Sequence, residues 1–285
     1  MIALMTRSQL TPAASAAVDK LLKDNPISAE LSRFCKDRPT DILADLSTWA
    51  DDARKAENTG AWHYVDIPMS LRQIPASGTS VDQWCHEEGK PDSGCVTSAI
   101  HDQLAVLKDL TKSGSDRARA LRYVVHFMED LHQPLHDSDN NDQGGNCTTI
   151  HYLKDEKPAN LHGIWDYRIL QTEMARRKLT QGAFVAEIEA EFAPNRAKWA
   201  KEKFDPATWA WEGHLLAVKY TYGLLKPAIP VAEPGPAANC DAERTKVAAL
   251  NIAIGDEYIN QSLPAIREQL AHSAARLANL LNATL

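Results

Sequence analysis

Apolar residues recur at helical spacing along most of this chain. Ala13, Ala16, Ala17, Val18, Leu21 and Leu22 form one stripe. Helix is read over 1–23, with IALMT resembling helix interior and Thr11-Pro12 giving a cap-like start with proline at the first helical position. A second helix is predicted over 39–55, with Thr40 as cap and Asp41 in the first turn. A third, over 96–110, carries Ile100, Leu104, Leu107 and Leu110. A fourth is predicted from a Ser115 cap to His132, with Leu121, Val124, Val125, Met128 and Leu131 as its apolar face. Further helices are read over 161–177, 182–191, 207–225 and from 241 onward. In the last of these, Leu263, Ile266, Leu270, Ala274, Leu277 and Leu281 sustain a stripe to the end, and Pro264 marks a bend or a helix start. Extended character is confined to WHYVDIP (62–68) and a short candidate strand over 148–153. Residues 70–94 and 225–239 read as loops. With no repeat and no linker, the pattern predicts a single all-α domain over 1–285 with long irregular loops.

Composition narrows this picture. The chain has 285 residues, 44% of them hydrophobic, enough for a sizeable core. No apolar run approaches the eighteen residues of a membrane span. The net charge of -7 excludes attraction of polyanions by the overall field. A nucleic-acid partner would need a local source of positive charge, and bound metal is the natural one. Five cysteines occur and none forms a CxxC pair. Cys85 and Cys95 flank HEEGKPDSG, a loop that a short disulfide would staple, which suits an oxidising compartment.

The candidate chemistry lies between residues 122 and 166. His126 with Asp130, and His162 with Asp166, are both spaced i, i+4, which places each pair on one helix face within reach of a common ion. Taken singly, such a pair is an ordinary surface hydrogen bond. Two of them, bracketing His136 and a Gly144-Gly145-Asn146 loop, predict a metal site whose imidazole and carboxylate donors suit zinc. Asp51 and Arg54, three apart in STWADDAR, read on their own as a surface ion pair. His63 in WHYVDIP reads on its own as a packed, hydrogen-bonded histidine.

STWADDAR (47–54), WHYVDIP (62–68), HFMEDLHQPLH (126–136), Gly-Gly-Asn at 144–146, NLHGIWD (160–166) and RLANLLN (276–282) together resemble the S1/P1 nucleases, zinc enzymes of the phospholipase C/P1 nuclease fold. The resemblance spans nearly the whole chain. It implies an all-helical fold with a cleft holding three zinc ions. Carried onto this sequence, Asp51, His63, His126 and Asp130 would surround one zinc, and His136, His162 and Asp166 another, with Asp130 bridging to a third. His132 lies inside the motif but is not a ligand in the family pattern. The implied activity is hydrolysis of single-stranded DNA and RNA to 5′-phosphates, with 3′-nucleotidase action. Arg54 would hold a phosphate oxygen and Tyr64 would stack a base. Asp66 would bind a base edge or orient the nucleophile, and Asn160 would contact substrate. The resemblance also implies a monomer without a membrane, secreted or periplasmic.

One departure is evident. Family members open on Trp, then Gly and His, which complete the third zinc site, whereas no His precedes His63 here. The opening IALMT reads as the continuation of such a segment, so a Trp-first segment and a signal peptide are expected upstream, and two zincs have near-complete ligand sets in the sequence as written. Rival readings are a phospholipase C-like phosphodiesterase and an inactive zinc-stabilised relative.

Overall fold

The structure is a computed structural model, and it describes residues 1–28, 41–87, 93–233 and 239–285. Helices dominate it. α1 (Ile2–Arg7) and α2 (Pro12–Asp24) open the chain, and Thr11 caps α2 by accepting the Ala14 N–H. The helix predicted over 39–55 is instead two. Pro39 and Thr40 lie outside the described residues; Asp41 caps a single turn, α3 (Ile42–Asp45), and a separate α4 (Trp49–Glu57) follows. The break at 46–48 has a use, because it releases the Ser47 carbonyl from helix pairing.

The segment WHYVDIP starts in a 3₁₀ turn, Gly60–His63, and only then extends. It runs beside residues 136–139, with Val65 N–H donating to the His136 carbonyl and Asp139 N–H to that of Ile67. α5 (Val96–Lys108) ends before Leu110, which is 80% exposed. The Asp109 carboxylate accepts the Thr111 N–H instead and turns the chain. α6 (Gly114–Asp130) is capped by Ser113 rather than Ser115, and it stops at Asp130 rather than His132. A tightened turn follows, His132 N–H to Glu129 and Gln133 N–H to Asp130, ahead of Pro134. The predicted face of α6 is fully buried: Leu121, Val124, Val125, Met128 and Leu131.

The predicted strand is β1 (Thr149–Tyr152). It pairs antiparallel with β2 (Ala159–Asn160) and parallel with β3 (Ala253–Ile254), in the order β2-β1-β3. β2 leads directly into α7 (Leu161–Gly163), a π-helical turn (Ile164–Arg168) and α8 (Ile169–Arg177). Next come α9 (Gln181–Phe192), α10 (Arg196–Trp199), α11 (Pro206–Leu216) and a second π turn (Ala217–Thr221). α12 (Cys240–Ala248) precedes α13 (Asp256–Asn282), which holds Pro264 inside it rather than at its start.

Two apolar clusters support the site. One packs α2, α4, α5 and α6 through Leu22, Ala53, Ile100 and Leu121; the other gathers β1, the π turn after α7, α8 and α13 through Ile150, Ile164, Ile169 and Ala274. Each fully buried large side chain contributes roughly 1.5–3 kcal/mol. Two disulfides tie the loops, the predicted Cys85–Cys95 and also Cys147–Cys240, which the sequence pattern did not indicate. Cys35 lies outside the described residues.

Candidate metal centre

The C-terminal end of α6, the WHYVDIP segment and the start of α7 meet at one cleft of about 940 Å³. Asp51, His63 and His126 bring one donor atom each within 4.8 Å of one another, and His136, His162 and Asp166 form a second such group. Asp130 stands between them. Its Oδ2 lies 2.9 Å from His63 Nδ1 and 3.1 Å from His126 Nε2, and its Oδ1 lies 3.6 Å from His136 Nδ1.

Backbone carbonyls set the tautomers. His126 Nδ1–H donates to Ser47 O (2.7 Å), His136 Nδ1–H to His63 O (2.8 Å) and His162 Nδ1–H to Gly144 O (2.7 Å). In each neutral ring, Nε2 is then a bare lone pair. His126 Nε2 faces Asp130, and the Nε2 atoms of His136 and His162 lie 3.7 and 3.4 Å from Asp166. His63 is reversed, with Nδ1 in the cluster and a buried Nε2 that has no hydrogen-bond partner among the described residues. So many lone pairs and carboxylate charges turned toward one another favour a positive charge among them, supplied by imidazole protons or by a bound metal ion. The donor set, imidazole nitrogen with carboxylate oxygen, fits zinc.

The titration behaviour agrees. Burial alone would depress His126, yet the charge and hydrogen bond of Asp130, with Asp51, push it up to about 10. Burial likewise opposes His136, which Asp130 and Asp166 lift to about 9. Burial would raise Asp130, but the charges of His126 and His136 hold it well below the usual carboxylate range. In the metal-free protein, protons on these imidazoles stand where a metal's positive charge would be.

The loop at 137–146 is built to aim His162. Asp139 accepts the N–H groups of Asp142 and Gly144, and Asp142 accepts that of Gly145. Gly144 has φ +58°, and a Cβ there would come within 2.5 Å of Leu135 O, so glycine is required for its carbonyl to reach His162. Asp166 sits in the π turn, a distortion common at functional sites. Gln133, not singled out in the sequence, donates to Asp166 through its side-chain amide. His132 has both nitrogens engaged, Nδ1–H to Met128 O and Nε2 accepting from Arg276, and so is not placed to bind metal. Burial, then the Arg276 charge, holds it well below the usual imidazole range.

Arg54 is exposed and lines the cleft, as do Tyr64 and Asp66. Burial, with the charges of Asp139 and Asp142, pushes the Asp66 carboxyl up to about 7. Asn160 is not among the cleft-lining residues, and its side-chain oxygen caps α7 by accepting the Gly163 N–H. His86, which no sequence signal marked, lines the cleft and meets the Tyr64 hydroxyl at 3.0 Å.

Fold and site define a mostly helical protein with two His/Asp groups that could each hold a metal ion, on either side of Asp130 in an open cleft. The S1/P1 Nuclease family profile matches residues 1–285, and the chain belongs to that family. Endonuclease 2 of Arabidopsis thaliana is 29% identical over 99% of this chain and 87% of its own length. Nuclease S1 of Aspergillus oryzae is 30% identical over 64% of this chain and 61% of its own. Nuclease P1 of Penicillium citrinum is 34% identical over 56% and 51%. The chain is a nuclease, a phosphodiester hydrolase of a zinc-dependent family. Among the described residues, no helix is long and apolar enough to cross a membrane.

Proposed function

We propose that this nuclease hydrolyses phosphodiester bonds in single-stranded DNA and RNA, leaves 5′-phosphates and also removes 3′-phosphates from nucleotides. The observation that carries this reading is the convergence of two donor groups on Asp130, beneath a rim that presents Arg54 and Tyr64. Asp51, His63, His126 and Asp130 would hold one zinc and His136, His162 and Asp166 a second, with Asp130 available to a third. Zinc in these cups supplies Lewis-acid charge for the phosphoryl group and brings the pKa of a water near neutrality.

The chain's own residues do the rest. Arg54 offers a planar fork to a non-bridging phosphate oxygen. Tyr64 gives a base a face to stack on, and only an unpaired strand leaves that face free. Asp66, two residues on, orients the base edge or the attacking water. Asn160 acts from outside the cleft, fixing the turn that carries His162. Attack at phosphorus breaks the bond to the 3′-oxygen, so the phosphate stays on the 5′ side of the downstream nucleoside. With an overall charge of -7, attraction for the strand comes from the cleft alone. The protein acts as a single-domain monomer, and its two disulfides suit export to an oxidising compartment.

The test is zinc content by atomic emission alongside cleavage of a 5′-labelled oligonucleotide, single-stranded and as a duplex, with end-group analysis. At least two zincs per chain, preference for the single strand and 5′-phosphate products are expected. Equal cleavage of the duplex, or full activity in a metal-free preparation, would overturn the reading.

A further inference from the structure

Tyr64 does not stand alone in the cleft wall. Its hydroxyl lies 3.0 Å from His86 Nε2, and the two rings pack edge to face with centroids 5.7 Å apart and planes at 74°. His86 is held in turn. Its neighbour Cys85 is bonded to Cys95, its N–H donates to the Gly94 carbonyl at 3.0 Å, and the Gly94 N–H returns to the His86 carbonyl at 3.1 Å. The same paired ends are tied to the WHYVDIP segment. The Trp62 indole N–H donates to Ser93 O at 3.0 Å, and the Val96 N–H donates to Tyr64 O at 3.1 Å. Disulfide, backbone pair, indole and tyrosine therefore form one connected unit against the cleft.

From this juxtaposition we infer that His86 is a positioning residue, which locks the Tyr64 ring as a preformed nucleobase platform, with the Cys85–Cys95 disulfide as the brace behind it. The inference rests on the single-strand nuclease reading and deepens it. The physical reason is entropic. A tyrosine free to turn about its side-chain bonds must be ordered each time a base stacks on it, whereas one fixed by hydroxyl and ring contacts has met that cost on folding. The lock contributes only when a base is present, so it tunes the preference for a strand that bears bases over the sugar-phosphate backbone alone.

The experiment compares a zinc-loaded enzyme on two single strands, a thymidine oligonucleotide and the same length built of tetrahydrofuran abasic residues. The readout is the ratio of the two kcat/KM values. In His86→Ala this ratio should fall about three- to tenfold, the cost of ordering one freed side chain, with the loss in KM on the thymidine strand rather than in kcat. Tyr64→Phe keeps the ring and removes only the hydroxyl. It should lose the same ratio, and the double variant should lose no more than either alone. His86→Gln, which can still meet the hydroxyl, should recover part of it. An unchanged ratio in both single variants, whatever happens to total activity, would overturn the inference. So would a wild-type enzyme that shows no preference for the thymidine strand. Wild-type protein that cleaves neither strand would instead overturn the nuclease reading on which the inference rests.

Discussion

Ser47 and His126 are 79 positions apart, and the Ser47 carbonyl accepts the His126 Nδ1–H at 2.7 Å. That contact exists because the helix before α4 is broken, which leaves the carbonyl unpaired. It fixes the imidazole with Nε2 toward Asp130, the orientation that a metal ligand at the proposed first cup would need. In His126→Ala the first cup loses a donor. Zinc content should fall by one ion per chain, and kcat/KM on single-stranded DNA should fall on the order of 10²–10³-fold, the scale of removing one principal electrostatic group. Unchanged zinc content would show that the ion is held without this imidazole.

Arg54 should act on the substrate rather than on the metal. It is exposed at the cleft, on the same face of α4 as Asp51. In Arg54→Ala, kcat/KM should fall about 10- to 100-fold, as for loss of a charge-assisted hydrogen bond of roughly 1.5–3 kcal/mol. Zinc content should be unchanged. Arg54→Lys should recover only part, because a point charge lacks the planar fork. A loss of zinc in Arg54→Ala would assign the residue to the metal cup instead.

Asp66 provides a pH signature. Its folded value of about 7 lies above the ordinary aspartate value of about 3.9, through burial and the charges of Asp139 and Asp142. For a raised pKa the stabilising contribution is complete below about pH 3.9 and is lost as pH rises through 7, because the unfolded chain releases its proton first. Asp66→Asn removes that loss. In chelator-treated protein, the stability of the variant relative to wild type should therefore grow from pH 4 to 8, by up to about 4 kcal/mol, and then level off. Urea denaturation at each pH measures it. A difference that does not vary with pH would show that burial leaves the carboxyl near its ordinary value.

Much of the candidate site's geometry was legible because its donor residues stand at fixed local spacing. His126 with Asp130, and His162 with Asp166, are neighbours on a helical turn whatever the rest of the chain does. The apolar face of α6 was readable for the same reason. What escaped depends on non-local geometry. The break at Ser47 is worth making only if a distant imidazole takes the carbonyl, and nothing near residue 47 records that. Gln133 meets Asp166, and His86 meets Tyr64, only after the loops have folded together. Cys147 and Cys240 are separated by 93 positions, so their pairing follows from the packing of α12 against β1 rather than from spacing. Asn160 shows the converse, since a polar residue inside a motif is here spent on capping a helix.

The two disulfides should separate stability from function. Closing a loop of 93 residues constrains the unfolded chain more than closing one of 10. The chain-entropy estimate is about 4.7 kcal/mol for the longer and about 2.7 kcal/mol for the shorter. Replacing Cys147 and Cys240 together with serine should thus lower the unfolding midpoint more than replacing Cys85 and Cys95. Activity should follow the opposite order. The Cys85–Cys95 bond braces His86 against Tyr64, so its loss should raise KM for single-stranded DNA while the zinc content holds. The longer bridge anchors the loop after Gly145 to α12, and its loss at a temperature well below the midpoint should leave KM near the wild-type value. Denaturant midpoints, zinc content and KM, measured on both double variants, test this. A KM that rises only in step with lost stability, in the same order for both bridges, would mean that the shorter disulfide is a staple and not a brace for the base platform.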